Sequence, residues 1–208
     1  MTIRKIIIYI LVIISIIFVI VSFLPKKKVA NCPSLGTDII AYGDSLVQGV
    51  GSTNYGDFVS VLSKKIGKPI VNLGHSGDTT ADGLSRINDL DNYKPKVVIL
   101  LLGGNDYLKK IPQADTQANL IKIIRNIQGR GSMVLLLGVR GGLLNDHFES
   151  MYSDLSYDYD TAYVPDVLKG LIFNTNYMSD AIHPNNVGYS LIAEKVYSKF
   201  VNMCNIDN

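Results

Sequence analysis

The chain has 208 residues, of which 47% are hydrophobic and 18% are charged, a length that suits one soluble domain with an appendage. Its formal net charge is +2, but Arg4, Lys5 and the three lysines at 26–28 all precede the first acidic residue, Asp38. The remainder of the chain carries more acidic than basic residues. This balance excludes the basic surface expected of a nucleic-acid-binding protein.

An uncharged apolar run extends from Ile6 to Leu24. As a helix it would nearly span the ~30 Å hydrocarbon core of a bilayer. A buried core helix is disfavoured because every face is apolar, and a cleaved signal peptide because no A-x-A-like site ends this long run. A lipoprotein site at Cys32 is disfavoured by Asn31 before it and by the lysines at 26–28. We therefore predict an uncleaved N-terminal transmembrane helix within residues 1–28, followed by a linker at 29–37.

Apolar strand-like runs alternate with amphipathic helical patterns through the predicted domain, residues 38–208. The predicted strands are 38–42, 70–73, 97–102 and 133–139, and the predicted helices lie near 58–66, 79–90, 120–127 and 186–200. This alternation indicates a parallel sheet that is covered on both faces by helices. Because such sheets bind ligands beyond the carboxyl ends of their strands, the loops at Gly43, Gly74 and Gly103 are predicted to meet at one site.

Four short blocks carry residue types that are suited to nucleophilic catalysis. Ser45 follows the first strand beside a glycine, and Gly74 follows the second, where backbone amides can approach a ligand oxygen closely. Asn105 follows the third strand, where its amide can donate to a developing oxyanion. Asp180 and His183 lie three apart before the last helix, as a base and the group that orients it.

Each block also has a purely structural interpretation. Serine and asparagine at strand ends are most often helix caps or turn formers, and a single histidine is usually structural. The G-x-S-x-G elbow of α/β-hydrolases is absent from the sequence. The four blocks become specific only when they are taken together, in this order and at these strand ends.

Taken together, the blocks at 43–46, 72–79, 103–106 and 180–184 resemble those of the SGNH (GDSL) hydrolase superfamily, over about residues 39–200. Within it, the chain is most similar to the bacterial arylesterase/thioesterase I/lysophospholipase L1 group. The resemblance implies a three-layer α/β/α, flavodoxin-like fold and a serine esterase that hydrolyses acyl esters or thioesters. It also implies that no metal or organic cofactor is needed.

The resemblance assigns a role to each of the singled-out residues. Ser45 is the expected nucleophile, His183 the general base and Asp180 the residue that orients it. The oxyanion hole is expected to use the backbone amides of Ser45 and Gly74 and the side chain of Asn105. His75 is expected to be structural or solvated, His147 to lie near the mouth of the pocket, and residues 152–163 to form a solvated helix face with some core contacts.

Two alternative functions remain open from the sequence. A carbohydrate O-deacetylase uses the same triad, and residues 139–142 replace the more apolar loop expected beside the acyl site, so acyl-chain preference is undetermined. A membrane-tethered binding module without activity would be marked by a missing triad or oxyanion residue, and none is missing. A small acyl-ester or lipid substrate and a monomer are the default expectations.

The location of the domain is predicted from the resemblance, because basic residues flank the apolar run on both sides. Enzymes of this group are commonly exported, which favours a bacterial inner membrane with the catalytic domain in the periplasm or outside the cell. Cys32 and Cys204 could pair in such an oxidising compartment, although spacing alone does not show it. No C-x-x-C motif or Cys/His cluster predicts a metal site.

Overall fold

The structure, a computed structural model, describes residues 9–16, 28–140 and 147–204. Residues 9–16 are helical and exposed, and the rest of the predicted transmembrane helix lies outside the described residues. Over the described part of the chain, no helix is both long enough and apolar enough to cross a bilayer. The membrane anchor stays a prediction.

The elements of the domain follow the alternation that the sequence predicts. In chain order they are β1 (Asp38–Gly43), α1 (Ser45–Gln48), α2 (Phe58–Ile66), β2 (Ile70–Gly74), α3 (Thr80–Ser85), a 3₁₀ helix (Ile87–Asn92), β3 (Pro95–Leu101), α4 (Gly104–Leu108), α5 (Gln113–Gly129), β4 (Met133–Leu137), α6 (His147–Asp158), β5 (Ala162–Val164) and α7 (Asn186–Phe200).

The strands form one parallel sheet in the order β2-β1-β3-β4-β5. Helices α2 and α7 pack together, whereas α3 and α6 both pack against α5 in the other helical layer. The central strands β1, β3 and β4 are almost entirely buried, which explains their continuous runs of Ile, Val and Leu. The predicted three-layer α/β/α architecture is confirmed.

Two local predictions differ from the structure. The helix predicted over 79–90 breaks at Arg86 into α3, which buries Thr80 and Gly83, and the 3₁₀ helix, which buries Ile87 and Leu90. The region 152–163, predicted as a solvated helix face with some core contacts, contains the end of α6 and also the short strand β5, which was not predicted. Tyr152 is fully buried there, and its hydroxyl donates to the carbonyl of Leu102 at 2.6 Å.

Residues 29–34, called here the leading segment, lie within the predicted linker at 29–37 and are docked on the domain. The Asn31 side chain donates to the carbonyls of Gln128 and Ser132 at 2.8 and 3.0 Å. The Ser34 hydroxyl donates to the carbonyl of Gly131 at 2.7 Å. A disulfide joins Cys32 to Cys204, with 6.0 Å between their Cα atoms. These contacts lie where strand β4 begins, at the amino edge of the sheet.

The carboxyl edge of the sheet, where the strands end, brings the first three loops together. Gly43 at the end of β1 pairs with Gly74 of β2 on one side and with Leu101 of β3 on the other. The polar residues that follow these positions therefore emerge side by side, as predicted, and the segment before α7 lies over them.

Candidate active site

Ser45 is the first residue of α1, directly after β1. Asp44 caps this helix, because its carboxylate accepts a hydrogen bond from the amide of Leu46 at 3.0 Å. The cap turns the chain sharply from strand to helix, so that Ser45 stands at the end of β1. Ser45 is only 7% exposed and lines a cavity of about 520 Å³.

The predicted base and its orienting carboxylate are in hydrogen-bond contact with Ser45. The Nε2 atom of His183 lies 3.1 Å from the Ser45 Oγ, and its Nδ1 atom lies 2.7 Å from an oxygen of Asp180. With Nδ1–H facing this carboxylate, the free lone pair of the imidazole is on Nε2, toward Ser45. The geometry is that of a serine–histidine–aspartate triad.

The Asp180 carboxylate also organises its own loop. It accepts backbone hydrogen bonds from Ile182 at 2.8 Å and from His183 at 2.7 Å. The hydrogen bond from the His183 side chain, aided by these amides, lowers the pKa of Asp180 to about 2. Asp180 is therefore ionised at neutral pH, and half of its side chain faces solvent.

The loop that carries His183 is closed by backbone contacts on both sides. The amide and the hydroxyl of Ser179 donate to the carbonyl of His183 at 2.8 and 3.0 Å. Asn185 then caps α7 by accepting from the amides of Val187 and Gly188 at 2.9 and 3.1 Å. The imidazole is therefore held between a closed turn and a fixed helix start.

Asn105 lies in the first turn of α4 and lines the same cavity as Ser45. Its Nδ2 atom donates to the carbonyl of Asp78 at 2.9 Å. Because a carbonyl can only accept, this contact fixes the amide with its NH₂ group in that direction. One of the two Nδ2 protons remains for another acceptor.

Asp106, next to Asn105, anchors α4 within the domain. Its buried carboxylate accepts from the amide and hydroxyl of Thr80 at 2.8 and 2.5 Å, and from the hydroxyl of Thr116 at 3.2 Å. These bonds join α4 to α3 and α5, so Asn105 rests on a rigid base. The sequence analysis did not single out Asp106; its place inside a Gly-Gly-Asn-Asp block was the available signal.

The position of Gly74 does not fit its predicted role in the oxyanion hole. Its amide already donates to the side chain of Asn72 at 2.9 Å. A Cβ atom at this position would lie 2.2 Å from the backbone nitrogen of Gln48. Gly74 is therefore needed for the close packing of β2 against α1, and its role as an oxyanion donor stays a prediction.

Gly77, in the same loop, is the glycine that adjoins Asn105. It precedes Asp78, whose carbonyl holds the Asn105 amide. Its φ of +88° lies in the left-handed region, and a Cβ built on it would meet no atom within 4 Å. Among the described residues, its amide donates no hydrogen bond. The signal for Gly77 was its place in the loop, three residues past the strand end.

The Asp44 carboxyl differs sharply from that of Asp180. Burial, together with nearby Asp78 and Asp106, raises the pKa of Asp44 to about 7. The carboxyl beside the nucleophile is thus partly neutral at physiological pH, while the one beside the base is fully charged. Of these two carboxyl groups, the fully charged one lies behind the imidazole.

The walls of the cavity are mainly apolar. They include Leu108, Val139, Leu168, Ile172, Phe173 and Ile182. Phe173 is 78% exposed and Leu108 is 52% exposed, so apolar side chains also surround the mouth. Val139 and Arg140, which begin the loop that the sequence places beside the acyl site, both line the cavity, and Arg140 pairs with Glu149 at 3.3 Å. Gly141 and Gly142 lie outside the described residues.

The two remaining histidines have no assigned role in the triad. His75 is exposed, and its backbone amide donates to the carbonyl of Gly43 at 2.9 Å, which links the first two loops. The side chain of His147 lies outside the described part of the molecule. Within that part, no group of three or more His, Cys, Asp or Glu residues is arranged to hold a metal ion.

Comparison with known families gives a match over most of the domain. The GDSL-like Lipase/Acylhydrolase family matches this chain over residues 41–191. This span contains Ser45, Asn105, Asp180 and His183, which are the residues that the geometry brings together around the cavity.

Three curated relatives are similar to this chain over most of their own length. Esterase TesA of Pseudomonas aeruginosa is 31% identical over 171 residues, or 76% of this chain and 85% of that protein. Thioesterase 1/protease 1/lysophospholipase L1 of Escherichia coli K12 is 27% identical, over 82% of this chain and 86% of that protein. The arylesterase of Vibrio mimicus is 32% identical, over 64% of this chain and 70% of that protein.

Solved structures give the same result for the fold. The crystal structure of TesA superposes with a TM-score of 0.74 at 28% identity, covering 80% of this chain and 99% of TesA. The SGNH-hydrolase family esterase AlinE4 superposes with a TM-score of 0.64 at 32% identity, covering 81% of this chain and 98% of AlinE4.

Proposed function

We propose that this chain, which belongs to the GDSL-like lipase/acylhydrolase (SGNH) family and is a carboxylic ester hydrolase, cleaves acyl esters or thioesters through an acyl-enzyme on Ser45. One observation carries the proposal: a continuous hydrogen-bonded line from Asp180 through His183 to the Ser45 Oγ, at 2.7 and 3.1 Å. The line ends in a cavity of about 520 Å³ with mainly apolar walls.

The first half of the reaction forms the acyl-enzyme. His183 removes the proton from the Ser45 hydroxyl as the oxygen attacks the acyl carbon. The ionised Asp180 keeps Nδ1 protonated and stabilises the imidazolium that forms. His183 then gives the proton to the leaving alcohol or thiol. In the second half, water attacks the acyl-enzyme, with His183 again acting as the base.

The oxyanion of each tetrahedral intermediate needs donors that are already in place. We assign the backbone amide of Ser45 and the second Nδ2 proton of Asn105. In place of Gly74, whose amide donates to Asn72, we assign the amide of Gly77. The amide of Gly77 has no acceptor among the described residues, and the residue directly precedes the carbonyl that orients Asn105.

The substrate is proposed to be an acyl ester or thioester with an apolar acyl group. The apolar walls and mouth of the cavity support this class, since burying an acyl chain against them removes apolar surface from water. The printed names of the relatives, which include a thioesterase, a lysophospholipase and an arylesterase, support the same class.

The location proposed for the enzyme is the outer side of a bacterial inner membrane. The apolar run at residues 6–24, followed by the lysines at 26–28, supports an N-terminal anchor. The disulfide between Cys32 and Cys204 supports an oxidising compartment for the domain. Alkaline phosphatase fused after Asn208 should be active in this topology. An inactive but well-expressed fusion would indicate the opposite topology. Recovery of a soluble protein that starts near Asn31 would indicate a cleaved signal peptide instead of an anchor.

The decisive experiment combines a substrate panel with a change of the nucleophile. The protein is assayed on p-nitrophenyl esters of increasing acyl length, on lysophospholipids, on acyl-CoA and on acetylated sugars. Ser45→Ala should abolish hydrolysis with the fold intact, and a fluorophosphonate probe should label the wild type only. Ser153→Ala, which removes an exposed hydroxyl on α6, is the matched control.

The panel also separates the competing substrate class. Turnover confined to acetylated sugars would replace the acyl-ester assignment with a carbohydrate O-deacetylase. Full activity of Ser45→Ala, or labelling of a different serine, would refute the proposed nucleophile.

A further inference from the structure

Arg86 contacts two of the three loops that form the site. Its Nε atom donates to the carboxylate of Asp78 at 2.6 Å, and its Nη2 atom donates to the carbonyl of Gly43 at 2.9 Å. Gly43 is the last residue of β1, two positions before Ser45. Arg86 therefore links the loop of the nucleophile to the loop that follows β2.

The partner of Arg86 reaches the third loop. Asp78 binds Arg86 through its carboxylate and binds the Nδ2 atom of Asn105 through its backbone carbonyl, at 2.9 Å. A single residue thus connects the guanidinium group to the side chain proposed as an oxyanion donor. A shift of Asp78 would turn or release the Asn105 amide.

A guanidinium group suits this position better than another cation would. It lies over the ring of Tyr42, 4.3 Å from the ring centroid, while its edge makes the two hydrogen bonds. Its planar fork can stack on an aromatic ring and donate in two directions, whereas a lysine ammonium group is a point charge. The Arg86 and Asp78 side chains are only 13% and 16% exposed, so water screens the pair weakly.

The chain bends at Arg86 to allow these contacts. Arg86 ends α3 and has backbone angles of −105° and 19°, which are not helical. The guanidinium group also lies 3.6 Å from Asp89 in the 3₁₀ helix that follows. The break in the predicted helix at 79–90 is therefore the point from which this side chain reaches the two loops that it contacts.

We propose that Arg86 is a positioning residue for ester hydrolysis. It holds Asp78 so that the Asn105 amide is fixed toward the oxyanion before the reaction begins. The proposal rests on the oxyanion role assigned to Asn105 above. Arg86 touches neither substrate nor nucleophile, so its effect on catalysis should pass through Asn105.

A double-mutant cycle tests this path on the full-length protein. Arg86→Gln should lower kcat for a p-nitrophenyl ester by about tenfold to a hundredfold, part of the loss expected for an oxyanion donor, with KM changed less than about threefold. In an Asn105→Ala background, Arg86→Gln should cost less than about threefold further, because residues that act as one unit are not additive. The kcat of Arg86→Lys should lie between those of the wild type and Arg86→Gln.

Arg130→Gln is the matched control for loss of an arginine. Arg130 donates to Asn126 at 2.8 Å and pairs with Asp91, just before β4 and away from the cavity. This variant should leave kcat unchanged. Thermal unfolding is measured for every variant at a temperature scan rate common to all. If Arg86→Gln does not fold, Arg86→Lys and Asp78→Asn take its place in the cycle.

Two results would overturn the proposal and are distinguishable from each other. Equal losses from Arg86→Gln with Asn105 present and absent would show that Arg86 acts independently, while the oxyanion role of Asn105 would stand. If Asn105→Ala alone left kcat unchanged, the proposed oxyanion role and the inference built on it would both be refuted.

Discussion

Asn105 and Asn31 make the same kind of hydrogen bond at opposite edges of the sheet. Each donates its side-chain amide to a backbone carbonyl: Asn105 to Asp78 at 2.9 Å, and Asn31 to Gln128 at 2.8 Å. At the carboxyl edge this hydrogen bond orients the side-chain amide of Asn105 beside the cavity. At the amino edge it fastens the leading segment to the domain. The surroundings of an interaction, rather than its type, decide whether it serves catalysis or stability.

The first way to test this comparison is a change at the orienting carboxylate. Asp180→Asn should lower kcat by about 10⁴-fold, because an amide facing Nδ1 favours the wrong imidazole tautomer. Asp160→Asn, at an exposed position near the leading segment, is the control and should retain full kcat. Steady-state kinetics on one activated ester checks both, and a loss of less than about tenfold in Asp180→Asn would contradict the proposed triad.

The two asparagines give the sharpest comparison. Asn105→Ala should lower kcat by about a hundredfold to a thousandfold with a much smaller change in KM, since an oxyanion donor acts mainly in the transition state. Asn31→Ala should leave kcat unchanged and lower the free energy of unfolding by about 1 kcal/mol. A change confined to KM in Asn105→Ala would move this residue from the oxyanion hole to substrate binding.

The disulfide gives a larger effect on stability at the amino edge. Replacing Cys32 and Cys204 together by serine should lower the free energy of unfolding by about 2–5 kcal/mol, because the bond closes a long loop between cysteines with a sequence separation of 172. Activity well below the unfolding temperature should persist, since neither residue lines the cavity. Urea unfolding and kcat are measured together, and two free thiols in the purified wild type would contradict the pairing.

A further expected effect is a pH dependence of the free energy of unfolding at the carboxyl edge. Burial raises the pKa of Asp44 from its ordinary value of 3.8 to about 7, so the folded state binds a proton that the unfolded state has released. This contribution to stability is complete below about pH 4 and is lost as the pH rises through 7. Asp44→Asn should remove a slope of at most about 1.4 kcal/mol per pH unit from the free energy of unfolding. Denaturant unfolding curves of the wild type and of Asp44→Asn between pH 4 and 8 check this prediction. The same dependence of the free energy of unfolding on pH in both proteins would contradict the raised pKa of Asp44.

The sequence predicts that Ser45, His183 and Asp180 come together, and they lie in hydrogen-bond contact, because the chemistry of such a triad restricts both residue types and positions. Ser45 must follow a strand, and a base with an internal orienting group can be recognised from Asp180 and His183 alone. The strands are equally clear, since strands buried on both faces need continuous apolar runs. The three-residue strand β5 carried no such run and was missed.

The glycine of the proposed oxyanion hole could not be chosen from the sequence. A glycine after a strand can serve close packing or amide exposure, and only coordinates separate the two. Gly74 allows β2 to approach α1, whereas Gly77 leaves open space at a positive φ. The leading segment raises the same difficulty, because polar residues typical of linkers are also those that donate to carbonyls, as Asn31 and Ser34 do.

The docking of the leading segment also fixes the direction from which the enzyme can be held. Val29 and its neighbours sit where strands begin, and the cavity opens where they end, about 20 Å away along a strand of six or seven residues. A support attached directly at Val29, whether a lipid surface or a chromatography bead, would face the back of the molecule. The mouth would point into the surrounding solution, so immobilisation through the N-terminus should leave turnover of dissolved esters undiminished.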